Sequence, residues 1–255
     1  MNYDIFIPIR LASKRLPNKA LLTINDKPII KYLIERLERV KKIRKIIVCT
    51  TNLKNDDDLV DFLHKENIEV FRGNEKDILQ RYLDASTKYG TDFIINVDGD
   101  DIYTDPQTLD QIILNHLNSN ADFIPIIDLP LGLLSFGFTT KSLKELCELK
   151  KTNNTETGWL RFFTETKIFH TKNVILTLKN KFPSNIRLSL DYPEDFEIAK
   201  VIFTHLGNDF DLEKLSLFLN NNPNLLKKIQ KTNELWKNHY QSQLADISLK
   251  NHTTR

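Results

Sequence analysis

Two clusters in this sequence have residue types and spacing suited to polyphosphate chemistry. The stretch Arg10-Leu-Ala-Ser13-Lys14-Arg15-Leu-Pro-Asn18-Lys19 gathers four cations and a hydroxyl within ten residues. A triphosphate carries about four negative charges at neutral pH, and paired cations hold it where no cradle of backbone N–H groups exists. The segment Asp98-Gly99-Asp100-Asp101 has the opposite charge. Closely spaced carboxylates suit Mg²⁺, which takes oxygen ligands and keeps substrate phosphates among them. Two further clusters support either chemistry or plain structure. Arg72 and Arg81 bracket a turn containing Asn74, where they can read a base or a phosphate, or pair with Glu75 and Asp77 on a helix surface. In Leu190-Asp191-Tyr192-Pro193-Glu194-Asp195 the last two acids complement a helix dipole, and Asp191 reads as a cap. The first two clusters have plain readings as well, a solvated basic loop and an acidic turn.

Glycine usage narrows the choices. The chain of 255 residues holds 7 Gly, where average usage gives roughly 18. None of them meets the spacing of a Walker A loop or of a dinucleotide fingerprint. Any nucleotide must therefore be gripped without a glycine cradle. Lys plus Arg number 36 against 34 acids, so net +2 provides no field to steer nucleic acid. Cys49 and Cys147 are too few for a disulfide framework or a zinc site, and Cys49 sits in an apolar run that implies a buried thiol. No apolar run reaches the roughly 18 residues of a membrane span, and the N-terminus lacks a signal-peptide layout. The expectation is a cytoplasmic protein with no membrane and no nucleic-acid partner.

Hydrophobic periodicity places these clusters on elements. Apolar runs predict strands over 3–9, 45–51, 68–71 and 92–97, and helical spacing predicts helices over 28–42, 56–65 and 78–89. Pro28 suits the first turn of its helix. Strands alternating with helices imply βαβ units and a mostly parallel sheet. The clusters at 10–19, 72–81 and 98–101 each follow a strand directly, so they gather on the rim where such sheets bind ligands. Beyond them, helices are expected over 106–117, 142–150, 193–206 and 210–219, with a loop over 152–157. The run 121–127 is expected to be an edge strand because of Pro125. A strand pair is expected in 129–138, strands over 169–178 and 186–190, a turn over 220–224, a polar helix over 225–249 and a disordered tail over 250–255.

In this order, IPIRLASKRLPNKALLTINDKPII, FRGNEKDILQRY, NVDGDDIYTDPQ and LSLDYPEDFEIAK resemble the cytidylyltransferases that activate acidic sugars. The likeness is to the spore-coat polysaccharide and CMP-Kdo synthetase-like members and spans residues 4–206. It implies a GT-A-like, Rossmann-related α/β fold, CTP as donor, Mg²⁺ as cofactor, an acidic-sugar acceptor, pyrophosphate release and a homodimer. It also implies a nucleotidyltransferase domain over 1–206, with an acceptor and dimerisation region near 129–180, and a helical extension over 207–255. Carried over by motif, Arg10, Ser13, Arg15 and Lys19 bind the triphosphate, with Pro8 and Lys14 beside them. Asp100 and Asp191 hold the metal, while Arg72, Asn74 and Arg81 lie where base and ribose are read. Lys19, Arg15 and Asp100 are the expected catalytic groups. Asn18 stands where relatives carry glycine, and it tolerates the left-handed turn. Asp98 stands where relatives carry an uncharged residue, either as a third carboxylate at the metal or as an influence on acceptor choice. Trp159, Arg161 and His170 are available to the acceptor, or are core and rim residues. Three alternatives stay open: a GT-A glycosyltransferase that binds a nucleotide sugar at Asp98 and Asp100, a nucleotidyltransferase of another base or acceptor such as GTP or a phosphonate, and a catalytically idle nucleotide-binding subunit.

Overall fold

The computed structural model describes residues 1–240 and 247–250. Residues 241–246 of the expected helix over 225–249 and nearly all of the expected tail lie outside the described residues, while 247–249 are not helical: Leu249 bridges Lys150 in antiparallel and Lys151 N–H donates to Ser248 O. The first half is an alternation of β1 (Tyr3–Pro8), α1 (Ile29–Leu37), β4 (Lys45–Thr51), α2 (Asp57–Lys65), β5 (Glu69–Gly73), α3 (Ile78–Tyr89) and β6 (Phe93–Asn96), with the small hairpin β2 (Thr23–Ile24) and β3 (Lys27–Pro28) preceding α1. The second half adds α4 (Pro106–Ser119), β7 (Phe123–Ile127), β8 (Phe136–Thr139), α5 (Thr140–Leu149), α6 (Arg161–Thr164) and β9 (Val174–Ile175). It closes with α7 (Pro193–Leu206), α8 (Leu212–Asn220) and α9 (Pro223–Tyr240).

Seven strands form one sheet in the order β5-β4-β1-β6-β8-β7-β9. β1 pairs in parallel with both β4 and β6, and β4 in parallel with β5. This is the mostly parallel α/β fold expected from the alternation. Ile5, Phe6 and Ile7 of β1 are fully buried because helices cover both faces of its sheet. The chain steps outward from β1 to β4 to β5, and α3 then carries it back across to β6. The strand order therefore reverses between β1 and β6, and a crevice opens there at their carboxyl ends. Both principal charged clusters leave the sheet at this point.

Three expected strands differ. The run 121–127 is not an edge, because β7 lies between β8 and the short β9. Pro125 is tolerated there for a geometric reason. Ile126 N–H donates to Ser135 O on the β8 side, so the missing N–H of residue 125 faces the other flank, where β9 supplies two residues. The segment 129–138 forms one strand rather than a pair, and 169–178 shortens to β9. The segment 186–190 is extended but no strand: it makes a single bridge, Leu131 to Arg187, and Leu188 N–H donates to Leu131 O at 2.7 Å. That approach requires Gly132 (φ 93°), whose Cβ would stand 2.3 Å from the Leu188 backbone. The expected turn over 220–224 is compressed, since Pro223 starts α9 in the first-turn position that suits proline.

One buried cation fastens the C-terminal layer to this frame. Arg36 of α1 is fully buried and donates to the carbonyls of Tyr103, Thr104, Asn208 and Phe210, with its guanidinium over the Phe210 ring. Burial lowers its pKa to about 10, so it remains a cation at neutral pH. Arg36→Met should lower unfolding stability by about 3 kcal/mol, because it removes the guanidinium donor from the carbonyls of Tyr103, Thr104 and Phe210, while Asn208 O keeps its bond from Arg39. Urea denaturation followed by circular dichroism measures this, and an unchanged midpoint would show that the arginine is not the fastening.

Candidate active site

The crevice is built from three segments far apart in sequence. The first leaves β1. Ile9 N–H still reaches Cys49 O, and Leu11 N–H then donates to Asp56 Oδ1 at 2.7 Å. Asp56 is itself fixed by the Thr50 hydroxyl, Thr51 N–H and the Thr51 hydroxyl. The loop folds back where Asn18 adopts φ 55°, ψ 25°, as its tolerance of a left-handed turn allows, and Asn18 N–H returns to Leu11 O. This return brings Arg15 and Lys19 over the sheet end. The second segment follows β6, where Gly99 N–H donates to Pro8 O. Gly99 is required for space and not for its φ: a Cβ there would stand 2.5 Å from Ile9 Cδ1.

The third segment is the extended run into α7. Leu190 N–H donates to Asp100 O at 2.9 Å, which joins it to the acidic turn. Fully buried Arg187 donates to Asp191 Oδ2 at 3.0 Å, Asp195 Oδ2 at 2.6 Å, and both Ser189 oxygens at 2.6 Å. Asp195 also accepts from Asp191 N–H and Tyr192 N–H, so this helix-start acid shapes the bend that presents Asp191. Sequence reasoning missed Arg187. Its only signal is an arginine in an otherwise apolar run four residues before an aspartate.

These segments meet in a chain of charges. Lys19 Nζ lies 2.5 Å from Asp100 Oδ2, 3.6 Å from Asp191 Oδ1 and 2.9 Å from Leu190 O. Arg15 donates to Asp191 Oδ1 at 2.6 Å and stacks over Tyr192. Burial disfavours the charge on Asp191, but Lys19, Arg15 and Arg187 outweigh it and hold the carboxyl below the usual range. Burial likewise works against the Lys19 ammonium, and Asp100 and Asp191 more than offset it. Asp98 behaves differently. Burial and the neighbouring Asp100 push its carboxyl up to about 6, although the Asn96 amide donates to it. Asp101, also buried, is raised for the same two kinds of cause.

The cleft has a volume of about 510 Å³ and is lined by Pro8, Arg10, Ser13, Lys14, Arg15, Lys19, Asp98, Asp100 and Asp191 among others. It is also lined by Ile78, Arg81, Glu156, Thr157, Trp159 and His239. Trp159 is buried against Tyr82, Phe136 and Phe138 and still borders the cleft. Four named candidates sit elsewhere. Arg72 holds Asp57 and the carbonyls of Thr51 and Leu53, fixing β5 to the start of α2. The Asn74 side chain accepts from Lys76 N–H and Asp77 N–H in the turn before α3. Arg161 pairs with Glu165 on the exposed side of α6. His170 is exposed, and its backbone meets Asp122 at the start of β7. Glu156 and His239 were not found from sequence, since one lies in a polar loop and the other near the end of the last helix. Among the described residues no group of three or more His, Cys, Asp or Glu side chains is set to hold a metal. Two carboxylates do face a single cation, the Lys19 ammonium.

With this geometry in hand, similarity to known proteins becomes informative. Residues 5–229 match the family described as Cytidylyltransferase. An uncharacterized protein of Methanocaldococcus jannaschii is 32% identical over 86% of this chain and 90% of its own length. The spore coat polysaccharide biosynthesis protein SpsF of Bacillus subtilis is 25% identical over 88% of this chain and 96% of its own. The 8-amino-3,8-dideoxy-manno-octulosonate cytidylyltransferase of Shewanella loihica is 35% identical over 44% of this chain and 46% of its own. A solved structure of a cytidylyltransferase from Leptospira borgpetersenii superposes with a TM-score of 0.81 at 27% identity, covering 90% of this chain and 97% of that one.

The charge chain sets a pH test. A carboxyl held low in the folded state contributes stability above its unfolded pKa, near 4, and loses it as pH falls through the depressed value. Arg187→Met removes one of the three cations that depress Asp191, and it should cost about 3 kcal/mol at pH 7 by leaving buried acids unpaired. The gap between wild type and variant should narrow as pH falls below about 4. Urea midpoints at pH 7 and pH 3 measure this; a gap of equal size at both would rule out the charge pairing as its source.

Proposed function

This chain belongs to the cytidylyltransferase family, and on that premise we propose that it joins CMP from CTP to a small acidic sugar of the Kdo or nonulosonate kind, releasing pyrophosphate. As a CTP-dependent nucleotidyltransferase it leaves no room for the glycosyltransferase or idle-subunit readings. The observation that carries the site assignment is the Lys19 ammonium between Asp100 and Asp191, with Arg15 beside it, in the crevice between β1 and β6. The acidic acceptor is supported by the Shewanella relative's name and by the sequence motifs, and a role in surface glycan synthesis by the Bacillus relative's name.

An acceptor hydroxyl attacks the α-phosphorus, the new oxygen–phosphorus bond forms, and the bond to the β-phosphate oxygen breaks. The chain's own part is positioning and charge. Arg15 and Lys19 exchange carboxylate partners for phosphate oxygens and offset the charge that gathers on the α-phosphate and the leaving pyrophosphate. Arg10, Ser13 and Lys14 line the same wall. Asp100 and Asp191 would hold Mg²⁺. The two carboxylates already face one cation, and a site of one or two carboxylates completed by phosphate oxygens suits this ion. Bound there, it would supply Lewis-acid neutralisation of phosphate charge. Arg187 keeps Asp191 turned toward the cleft by holding its other oxygen.

The test is pyrophosphate release with each nucleoside triphosphate, Mg²⁺ and a panel of ulosonic acids. CTP should be used, and chelation of the metal should stop release until Mg²⁺ is restored. Asp100→Ala should lower kcat by about 10²–10³-fold. Turnover with UTP or GTP in place of CTP would overturn the donor, and full activity of Asp100→Ala would overturn the metal assignment.

A further inference from the structure

Glu156 is a carboxylate of the cleft that neither the charge chain nor the proposed chemistry uses. It lies in the loop between α5 and α6, with its side chain 14% exposed, and lines the cleft beside Arg10. The loop is pinned in place. Lys150 and Asp77 form a buried ion pair, the Thr155 hydroxyl donates to Asp77 Oδ1 at 2.9 Å, and Thr155 N–H donates to Lys76 O at 2.8 Å. Arg81, itself buried and tied to Asn74 O, donates to Glu156 Oε1 at 2.7 Å. The second oxygen, Oε2, lies 3.7 Å from Arg10 Nη1, beyond hydrogen-bond reach, and accepts no hydrogen bond among the described residues. A fixed acceptor and a half-exposed donor thus stand side by side, next to the apolar surfaces of Ile78 and Trp159 that a flat ring requires.

We infer that Glu156 selects cytosine over uracil, its Oε2 accepting from the exocyclic N4 amino group while Arg10 donates to the neighbouring N3 and O2. The inference rests on CTP being the donor. The two pyrimidines differ at these positions alone. Cytosine offers a donor at N4 and an acceptor at N3, which match carboxylate and guanidinium. Uracil offers an acceptor at O4 and a donor at N3, and both meet a group of the wrong kind. A carboxylate accepting from the cytosine amino group is a standard recognition pairing. A site built to pair a buried polar group rejects the analogue that leaves it unpaired. Arg10 stands on the same segment as Arg15 and Lys19, so one loop spans the nucleotide from base to phosphates.

Titration calorimetry of wild type, Glu156→Gln and Glu156→Asp with CTP and with UTP, each with Mg²⁺, tests this without an acceptor. The Gln variant keeps the shape and an acceptor for Arg81, but its amide can donate to O4. Its preference for CTP over UTP should fall about ten- to a hundredfold, by weaker CTP and stronger UTP binding. Glu156→Asp, which keeps the charge, should still prefer CTP. If wild type prefers CTP and the Gln variant binds both nucleotides more weakly by the same factor, Glu156 only steadies Arg81 and the inference is overturned. Unchanged nucleotide binding with a raised KM for the acceptor would also overturn it and move Glu156 to the acceptor side. A wild type with no preference for CTP would overturn the donor reading itself.

Discussion

Buried opposite charges must meet, and this constraint organises the molecule. Asp191 is nearly inaccessible to water, and so is the ammonium of Lys19. Either group alone would be expensive to bury, and removing one partner of such a pair is far worse than never having built it. The loop after β1, the turn after β6 and the extended run before α7 are therefore pulled to one point. Every local peculiarity nearby serves the meeting: the left-handed Asn18, the missing Cβ of Gly99, and the Arg187–Asp195 pair beneath Asp191. The sheet contributes the place, because its strand order reverses between β1 and β6. The charges then fix the third segment there without strand pairing.

That arrangement explains how the site can be ordered before substrate arrives. Lys19 and Arg15 are held at the sheet end by the carboxylates, so their orientation is settled in advance. Preorganised charge acts most strongly where water is excluded and nothing must reorganise during the reaction. The acidic run is not uniform in this respect. Asp100 meets Lys19 directly, whereas Asp98 borders the cleft half-buried, accepts from the Asn96 amide and is pushed toward the neutral form. Adjacent aspartates thus take different parts because one has a cation within reach.

Much of the fold and part of the site were legible in the sequence, for identifiable reasons. The βαβ alternation survives because periodicity reports burial directly, and burial decides these elements. Asn18 was legible because backbone handedness limits which residues fit a left-handed turn. Pro125 misled because a strand residue has two flanks, and sequence does not say which flank carries the missing donor. The run 186–190 has the composition of a strand, but its neighbours are Gly132 and Asp100, and that pairing is tertiary. Arg72, Asn74 and Arg81 looked equivalent in one motif. They separate only in space, where Arg81 reaches the cleft while the other two fasten turns. Glu156 and Arg187 are single charged residues whose meaning lies in partners 75 and 4 positions away.

The scarcity of glycine ties these points together. A phosphate grip made of backbone N–H groups carries no net charge, so it needs no counter-ion when empty. The proposed grip of Lys14, Arg15 and Lys19 does, and Arg15 and Lys19 sit where water offers little relief. Asp100 and Asp191 provide the counter-charge in the empty site, and they are also the oxygens assigned to the metal. On the proposed assignment the two duties would be exclusive at any instant. Phosphate would have to draw Lys19 and Arg15 away before both carboxylates could hold a divalent cation, which would in turn offset phosphate charge. Triphosphate and metal should therefore bind with positive coupling, each removing the cost of the other.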